Sequence, residues 1–179
     1  AGDPRVPVCV GGTSGCIART TRDDLGRPLH VQLLWPARES RVTVVSGVEA
    51  RLIEAEAQLR AGNAAGSLAT LNALRAATGA GSGGVAGLAP LADAGGEAAR
   101  VDQLFREHAF WLFGRGHRVG ALRRLVRQYN RAPETVFPTG PWHKDGGTYG
   151  TNVNFPVPQA EQNNPNVPAG TSTCIDRSA

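Results

Sequence analysis

The residues able to do chemistry fall in two glycine-bearing stretches, CVGGTSGC (Cys9 to Cys16) and PWHKDGGTYG (Pro141 to Gly150). In the first, the glycines permit a tight closure between two thiols. A disulfide between Cys9 and Cys16 suits an exported protein. Free thiols are the second reading, and a metal site with His30 as the nearest further ligand is the third. Cys174 is the odd thiol, either free or paired outside this chain. In the second stretch Trp142, His143, Lys144, Asp145 and Tyr149 gather on an expected loop. Aromatic faces stack on the C–H faces of sugars, and polar side chains bond their hydroxyls, so these five are the candidate ligand-binding set. The plainer role for Trp142 is to anchor the loop on the helices. Trp35 is a second, isolated aromatic candidate.

No catalytic set emerges beside them, and the chain is not expected to be an enzyme or to need a cofactor. The serines lie in GTSGC, ARES, VSG and GSG, none in a G-x-S-x-G context. His30, His108, His117 and His143 are scattered, and no pair has the i, i+4 spacing of a helical zinc site. His108 falls on an apolar face, where a hydrogen-bonded core role is expected, and His117 flanks a helix. Glu54 and Glu56 are two apart and point to different faces; Asp23-Asp24 reads as a turn. GAGSGG is glycine-rich but lacks the lysine and preceding strand of a phosphate loop.

The elements that must position these residues are mostly helical. Residues 1–45 read as irregular, with a short extended run from His30 to Trp35, stopped by Pro36, and a β-branched run RVTVV at 41–45. Ser46 followed by Glu49 is a capping-box pattern. Val48, Leu52, Ala55 and Leu59 then recur at helical spacing, and Gly62-Asn63 is a stop. A second helix puts Leu68, Leu71, Leu74 and Ala77 on one side and stops at Gly79. Ala55, Ala57, Ala65, Ala69 and Ala73 are expected to let the two helices approach closely. The pair has the size of one tetratricopeptide unit, which cannot bury its face alone. After a glycine-rich linker at about 79–96, a third helix is predicted from Gly96 or Glu97 to about Phe113. Val101, Leu104, Phe105, His108 and Leu112 share a face, and Phe110, Trp111 and Phe113 make the other side apolar, so this helix is the expected centre. A fourth, at about 117–130, buries Val119, Leu122, Leu125, Val126 and Tyr129. No helix is expected after Pro133.

The chain has 179 residues, enough for one core-bearing domain, with 23 glycines and 12 prolines gathered in the loops. No apolar run of about 18 residues could cross a membrane as a helix. The net charge of +4 is local: Arg115, Arg118, Arg123, Arg124, Arg127 and Arg131 crowd one segment. A basic helix can bind nucleic acid. Without an aromatic-interleaved motif it reads as a solvated face, and nucleic acid is not an expected partner. The tail NFPVPQAEQNNPN (Asn154 to Asn166) has prolines that bar a long helix or central strand, so an extended proline- and asparagine-rich coil is expected over 133–179.

Four stretches in order resemble the C-terminal part of the SusD/RagB family of outer-membrane nutrient-binding lipoproteins. DPR (Asp3 to Arg5) is similar to the opening of the family's C-terminal half. EARLIEAEAQLRAGNAAGSLATLNALRAATG (49–79) is similar to its AEA…G…A…LN.vR…G helical pair. REHAFWLFGRGHRVGALRRL (106–125) lies where the family has ER..EL..EG.R..DL.R. NFPVPQAEQNNPNV (154–167) is similar to its PIP..E…NP ending. Glu107 keeps the first acid, His108 replaces the usual arginine, Trp111 and Arg115 stand at the other acids and Ala121 at the aspartate. Gly116, Arg118, Leu122 and Arg124 remain. A family ion-pair network is thus expected to be partly exchanged for aromatic packing.

The resemblance implies a mainly α fold: tetratricopeptide-like helical hairpins at 46–132, long irregular loops, and a C-terminal coil packing on the body, with Glu161 and Asn164-Pro165 in structural roles. It implies a cell-surface protein, exported to the outer-membrane surface, that captures an oligosaccharide or peptide for a SusC-like TonB-dependent transporter. Family members also begin with a lipid-bearing cysteine and have further helical repeats upstream, features that these 179 residues lack. The alternative is a structural subunit or processed fragment in an extracellular assembly such as a filament, where self-assembly or a missing N-terminal part covers the exposed helical face.

Overall fold

In the computed structural model the chain is mainly α-helical. The structure describes residues 3–17, 20–77, 85, 87–142, 146–155 and 165–166. The elements run β1 (Val8–Val10), β2 (His30–Gln32), α1 (Gly47–Arg60), α2 (Ala64–Ala76), α3 (Glu97–Trp111), α4 (Arg118–Tyr129) and α5 (Pro133–Val136). They divide into two compact units, Ala1–His117 and Arg118–Ala179, so the boundary falls inside the stretch read as one helical body.

The N-terminal stretch contains a small antiparallel hairpin. Cys9 pairs with Val31 across β1 and β2, and Gly11 N–H to Leu29 and Leu33 N–H to Pro7 lengthen the ladder at both ends. A Cβ on Gly11 would fall 1.9 Å from the Thr20 carbonyl oxygen, so only glycine fits there. β2 ends at Gln32, short of the expected Trp35. The Gln32 side chain accepts from Trp35 N–H at 3.1 Å and turns the chain before Pro36. The β-branched run 41–45 forms no strand, and Val42, Val44 and Val45 are exposed.

Capping explains the helix ends. Ser46 Oγ accepts from Glu49 N–H at 3.2 Å and starts α1. Gly62, at φ 80°, closes it: Asn63 N–H reaches Gln58 O and Gly62 N–H reaches Leu59 O. Asn63 then starts α2 by accepting from Gly66 N–H at 2.9 Å. The end of α2 lies at Ala76, before the expected stop at Gly79, which is outside the described residues.

α1 packs on α2 and α3, and α2 on α3. Leu52 and Ala55 meet Leu71, Leu74, Val101, Leu104 and Phe105 in a buried core. Each large apolar side chain contributes about 1.5–3 kcal/mol. The alanine expectation is corrected here. Only Ala55 is buried; Ala57, Ala65, Ala69 and Ala73 are exposed, and Ser67 is the small buried residue of α2. Nor is α3 apolar all round: Asp102 and Arg106 are exposed, and its buried face includes Glu107.

Glu107 is the polar centre of this unit. Its carboxylate accepts from Arg5 Nη1 at 2.6 Å and from Arg75 Nη1 at 2.8 Å. The side chains of Arg5 and Glu107 are only 3% and 4% exposed. Arg5 is also held by the Asp3 carboxylate at 2.7 Å, and its guanidinium lies 4.8 Å from the Phe110 ring centre and 5.1 Å from that of Trp111. Burial pulls the Arg5 pKa down, but the hydrogen bonds to Asp3 and Glu107 outweigh it and raise it. The hydrogen bond from Arg5 holds the Asp3 carboxyl below the usual carboxylate range, against burial. Arg75 reaches further, its Nε donating to Ala89 O at 2.7 Å. One turn earlier Asn72 pairs with both backbone groups of Leu91, at 3.0 and 2.7 Å. Asn72 and Arg75 thereby strap residues 88–91 along α2. Ion pairs and aromatic packing thus stand side by side around Glu107.

In the second unit, Asn130 takes φ 52° and ends α4. Pro133 then opens α5, one turn of helix where none was expected. Proline suits a first helical position, because its missing N–H would have no intrahelical partner there. Ala121, Leu122 and Val153 are buried in this unit. Most of the expected C-terminal coil, including Glu161 and Asn164, lies outside the described residues, as does Cys174.

Removing Glu107 leaves two enclosed cations facing each other. Glu107→Ala is expected to cost about 3–5 kcal/mol in urea unfolding, and an unchanged midpoint would show that the arginines are solvated. The Asp3 carboxyl has a depressed pKa, so its contribution to stability is present above the ordinary carboxylate pKa. That contribution is lost as pH falls through the folded-state value. Asp3→Asn should therefore flatten the acid limb of the stability–pH curve while changing its neutral-to-basic part little in shape.

Candidate functional site

Of the five residues named from sequence, Trp142 and Tyr149 are described, and His143, Lys144 and Asp145 lie outside the described residues. The two aromatics stand on the legs of a short hairpin. Trp142 N–H donates to Gly147 O at 2.8 Å, Tyr149 N–H donates to Gly140 O at 2.9 Å, and Pro141 bridges Thr148. Gly140 at φ 77° and Gly146 at φ 65° permit the turns at its ends.

This register puts the aromatics together. Side chains alternate along each leg, so Trp142 shares a face with its partner Gly147 and with Tyr149 two residues on. Such diagonal neighbours stand about 7–8 Å apart. The indole lies over Gly147, where a Cβ would come within 2.2 Å of Trp142 Nε1. Trp142 is 44% and Tyr149 42% exposed, so the hairpin holds the indole while leaving much of both rings open. Trp142 thus packs on its own hairpin while presenting much of its ring.

Beside Tyr149 is a hollow of about 90 Å³ walled by Pro133, Phe137, Pro138 and Val153, with Glu134, Thr139, Thr151 and Asn152 supplying polar groups. Ligand sites for whole small molecules run to about 300–1,000 Å³. This notch can take the edge of one ring or a hydroxymethyl arm, while the rest of a ligand would lie over the open aromatic face. Sequence reasoning missed Glu134, Phe137, Thr139, Thr151 and Asn152. The signal available was PETVFPT, where α5 turns Phe137 and two prolines toward the Tyr149 leg.

A larger hollow of about 580 Å³ opens along α1 and α2, lined by Gly47, Arg51, Ala69, Thr70, Ala73 and Leu74, among others. The exposed alanines create it. Its polar groups are already engaged, Arg51 with Glu54 at 2.6 Å and Thr70 with Gln58 at 2.9 Å. The hollow also has no aromatic ring in its lining, whereas the hairpin exposes two.

The other nominated residues are not part of this site. Cys9 and Cys16 are joined by a disulfide closing the turn after β1. His108 is half-buried, its ring 6.2 Å from Phe105 and 6.3 Å from His117. His117 Nδ1 lies 3.4 Å from Glu49 Oε1 in the first turn of α1. Trp35 packs beside Gly114, where a Cβ would meet its ring at 3.6 Å. Among the described residues no group of three or more His, Cys, Asp or Glu side chains could hold a metal ion. None of their helices is long and apolar enough to cross a membrane.

Comparison with models of protein families, with curated proteins and with solved structures finds no match to this chain.

The packing of Trp142 on Gly147 gives a direct test of the hairpin. Gly147→Ala should force the indole out, shifting tryptophan fluorescence to longer wavelength. Unit 1 should keep its unfolding midpoint, because none of its core residues is touched. An unshifted spectrum would mean that the indole does not lie across Gly147.

Proposed function

We propose that this chain is a non-catalytic binding module resembling the SusD/RagB proteins, a tetratricopeptide-like helical scaffold that presents an aromatic hairpin to an oligosaccharide. The observation that carries the reading is the exposed pair of Trp142 and Tyr149 on one hairpin, with Tyr149 also walling a notch that offers a carboxylate, two hydroxyls and an amide. Stacking on the rings would orient a sugar, and the notch would select its edge. His143, Lys144 and Asp145, in the same loop, would extend the polar set.

The resemblance is supported from the other side by the core. Three of its four stretches supply Arg5, Arg75 and Glu107, which converge on one ion-pair node. Motifs drawn together by a buried charge behave as parts of one scaffold. In this reading the protein is exported to the outer-membrane surface and passes its ligand to a SusC-like TonB-dependent transporter. The Cys9–Cys16 disulfide suits that oxidising location.

A second reading, a subunit of an extracellular assembly, is favoured by one feature. Val42, Val44 and Val45 are 65%, 82% and 79% exposed in a β-branched run without a strand partner, a segment able to pair with another chain.

Calorimetric titration against a panel of oligosaccharides decides between them. Binding is expected, and Trp142→Ala and Tyr149→Ala should each weaken it about tenfold, the effect of removing one hot-spot ring. Absence of binding by the whole panel, together with polymers in light scattering, would transfer the conclusion to the assembly reading.

A further inference from the structure

The net charge of the protein is unevenly placed. Residues 1–117 carry 12 arginines against 11 carboxylates, close to balance. Residues 118–179 carry seven basic side chains against four acidic ones. Three of the four net positive charges therefore belong to the second unit. That excess survives any internal pairing its arginines make, because the unit has too few acids to match them. Within it α4 has no acidic residue at all.

The helix sorts its residues by face. At 100° per residue, Val119, Leu122, Val126 and Tyr129 share one arc, flanked by Ala121 and Leu125, and Ala121 and Leu122 are buried. Arg123, Arg124 and Arg127 fall on the opposite arc, and Arg131 continues it just past the helix end. Like charges at i, i+4, as at Arg123 and Arg127, repel and destabilise a helix slightly. Arg127 is exposed, and Arg123, Arg124 and Arg131 are half-buried.

We propose that the arginine face of α4 docks on an anionic lipid surface, binding phosphate headgroups. A helix with arginines along one side and apolar residues along the other has the composition of one that lies at a membrane surface. Here its apolar side faces inward, so attachment is electrostatic. The same unit holds every exposed Phe, Tyr and Trp among the described residues: Trp142, Tyr149 and Phe155, the last 82% exposed. Aromatic rings favour the headgroup level, where one end is apolar and the other wet. Nucleic acid is the competing polyanion; the shape argues against a single strand, and a duplex, whose major groove admits a helix, is separated by the test. Single-strand binders run their basic residues along a groove, whereas these arginines lie on a convex helix. Neither the notch beside Tyr149 nor the hollow along α1 and α2 is lined by an α4 arginine. The inference does not depend on nutrient capture.

The test is co-sedimentation of the whole chain with phosphatidylglycerol-containing vesicles and with pure phosphatidylcholine vesicles. Binding to the anionic vesicles only is expected, with loss at about 1 M salt, where the Debye length is about 3 Å. The double variant Arg123→Gln/Arg127→Gln should weaken binding by at least tenfold, since each arginine near the surface is worth about fivefold. The control Arg38→Gln/Arg41→Gln removes the same charge from the first unit and should change binding less than twofold. Circular dichroism of each variant confirms that α4 is still folded. The proposal is overturned by no binding, by equal binding to neutral vesicles or by an equal loss in the control. It is likewise overturned if a single-stranded or duplex oligonucleotide binds more tightly than the vesicles at the same salt.

Discussion

A carboxylate enclosed in a helical core must be matched by positive charge, and much of the first unit is arranged to meet that demand at Glu107. Its two arginine partners come from positions 102 and 32 residues away in sequence. Neither can be displaced without stranding charge away from water, which costs far more than a surface ion pair contributes. Arg5 brings the segment before β1 to the side of α3. Arg75 brings α2 to the same point and, through Ala89, holds the chain that leads into α3. The node therefore disciplines loops that could not be fixed by hydrophobic packing, because they have few apolar side chains to bury.

The aromatic neighbours of the node make the same argument from the other direction. Phe110 and Trp111 offer ring faces to a guanidinium whose remaining water has been excluded. Their attraction to the cation offsets part of its desolvation. Trp111 adds burial beside the node, where one carboxylate serves two arginines. This packing has a cost, since the indole Nε1 is buried without a hydrogen-bond acceptor among the described residues.

The helices were legible in the sequence because their signals are local. Ser46, Gly62-Asn63 and the leucine spacing act within a turn or two of where they stand, and α1, α3 and α4 fall within a few residues of their expected bounds. The alanines misled because a small side chain permits close approach without requiring it. Whether Ala69 faces a helix or water is decided by which arc the larger Leu71 and Leu74 bury. α5 is not legible from sequence because proline bars helix interiors, although it also opens helices. The node was invisible as a unit. DPR, LNALR and REHAF each stood out separately, but no periodicity links residues a hundred positions apart. The candidate site was half legible. Composition marked Trp142 and Tyr149, while the hairpin register that sets them on one face depends on hydrogen bonds no spacing rule supplied.

The two units solve opposite problems with the same residue. In the first, Arg5 and Arg75 are consumed internally and hold the fold together; the unit's charges nearly cancel, and its specificity lies in geometry. In the second, basic side chains outnumber the unit's own acids, and Trp142, Tyr149 and Phe155 are exposed. Surface so composed is expensive to keep for stability alone. Repelling charges weaken α4, and open rings forgo burial worth about 1.5–3 kcal/mol each. Such costs are expected where a surface is held for contact with something else, on a scaffold whose rigidity comes from elsewhere.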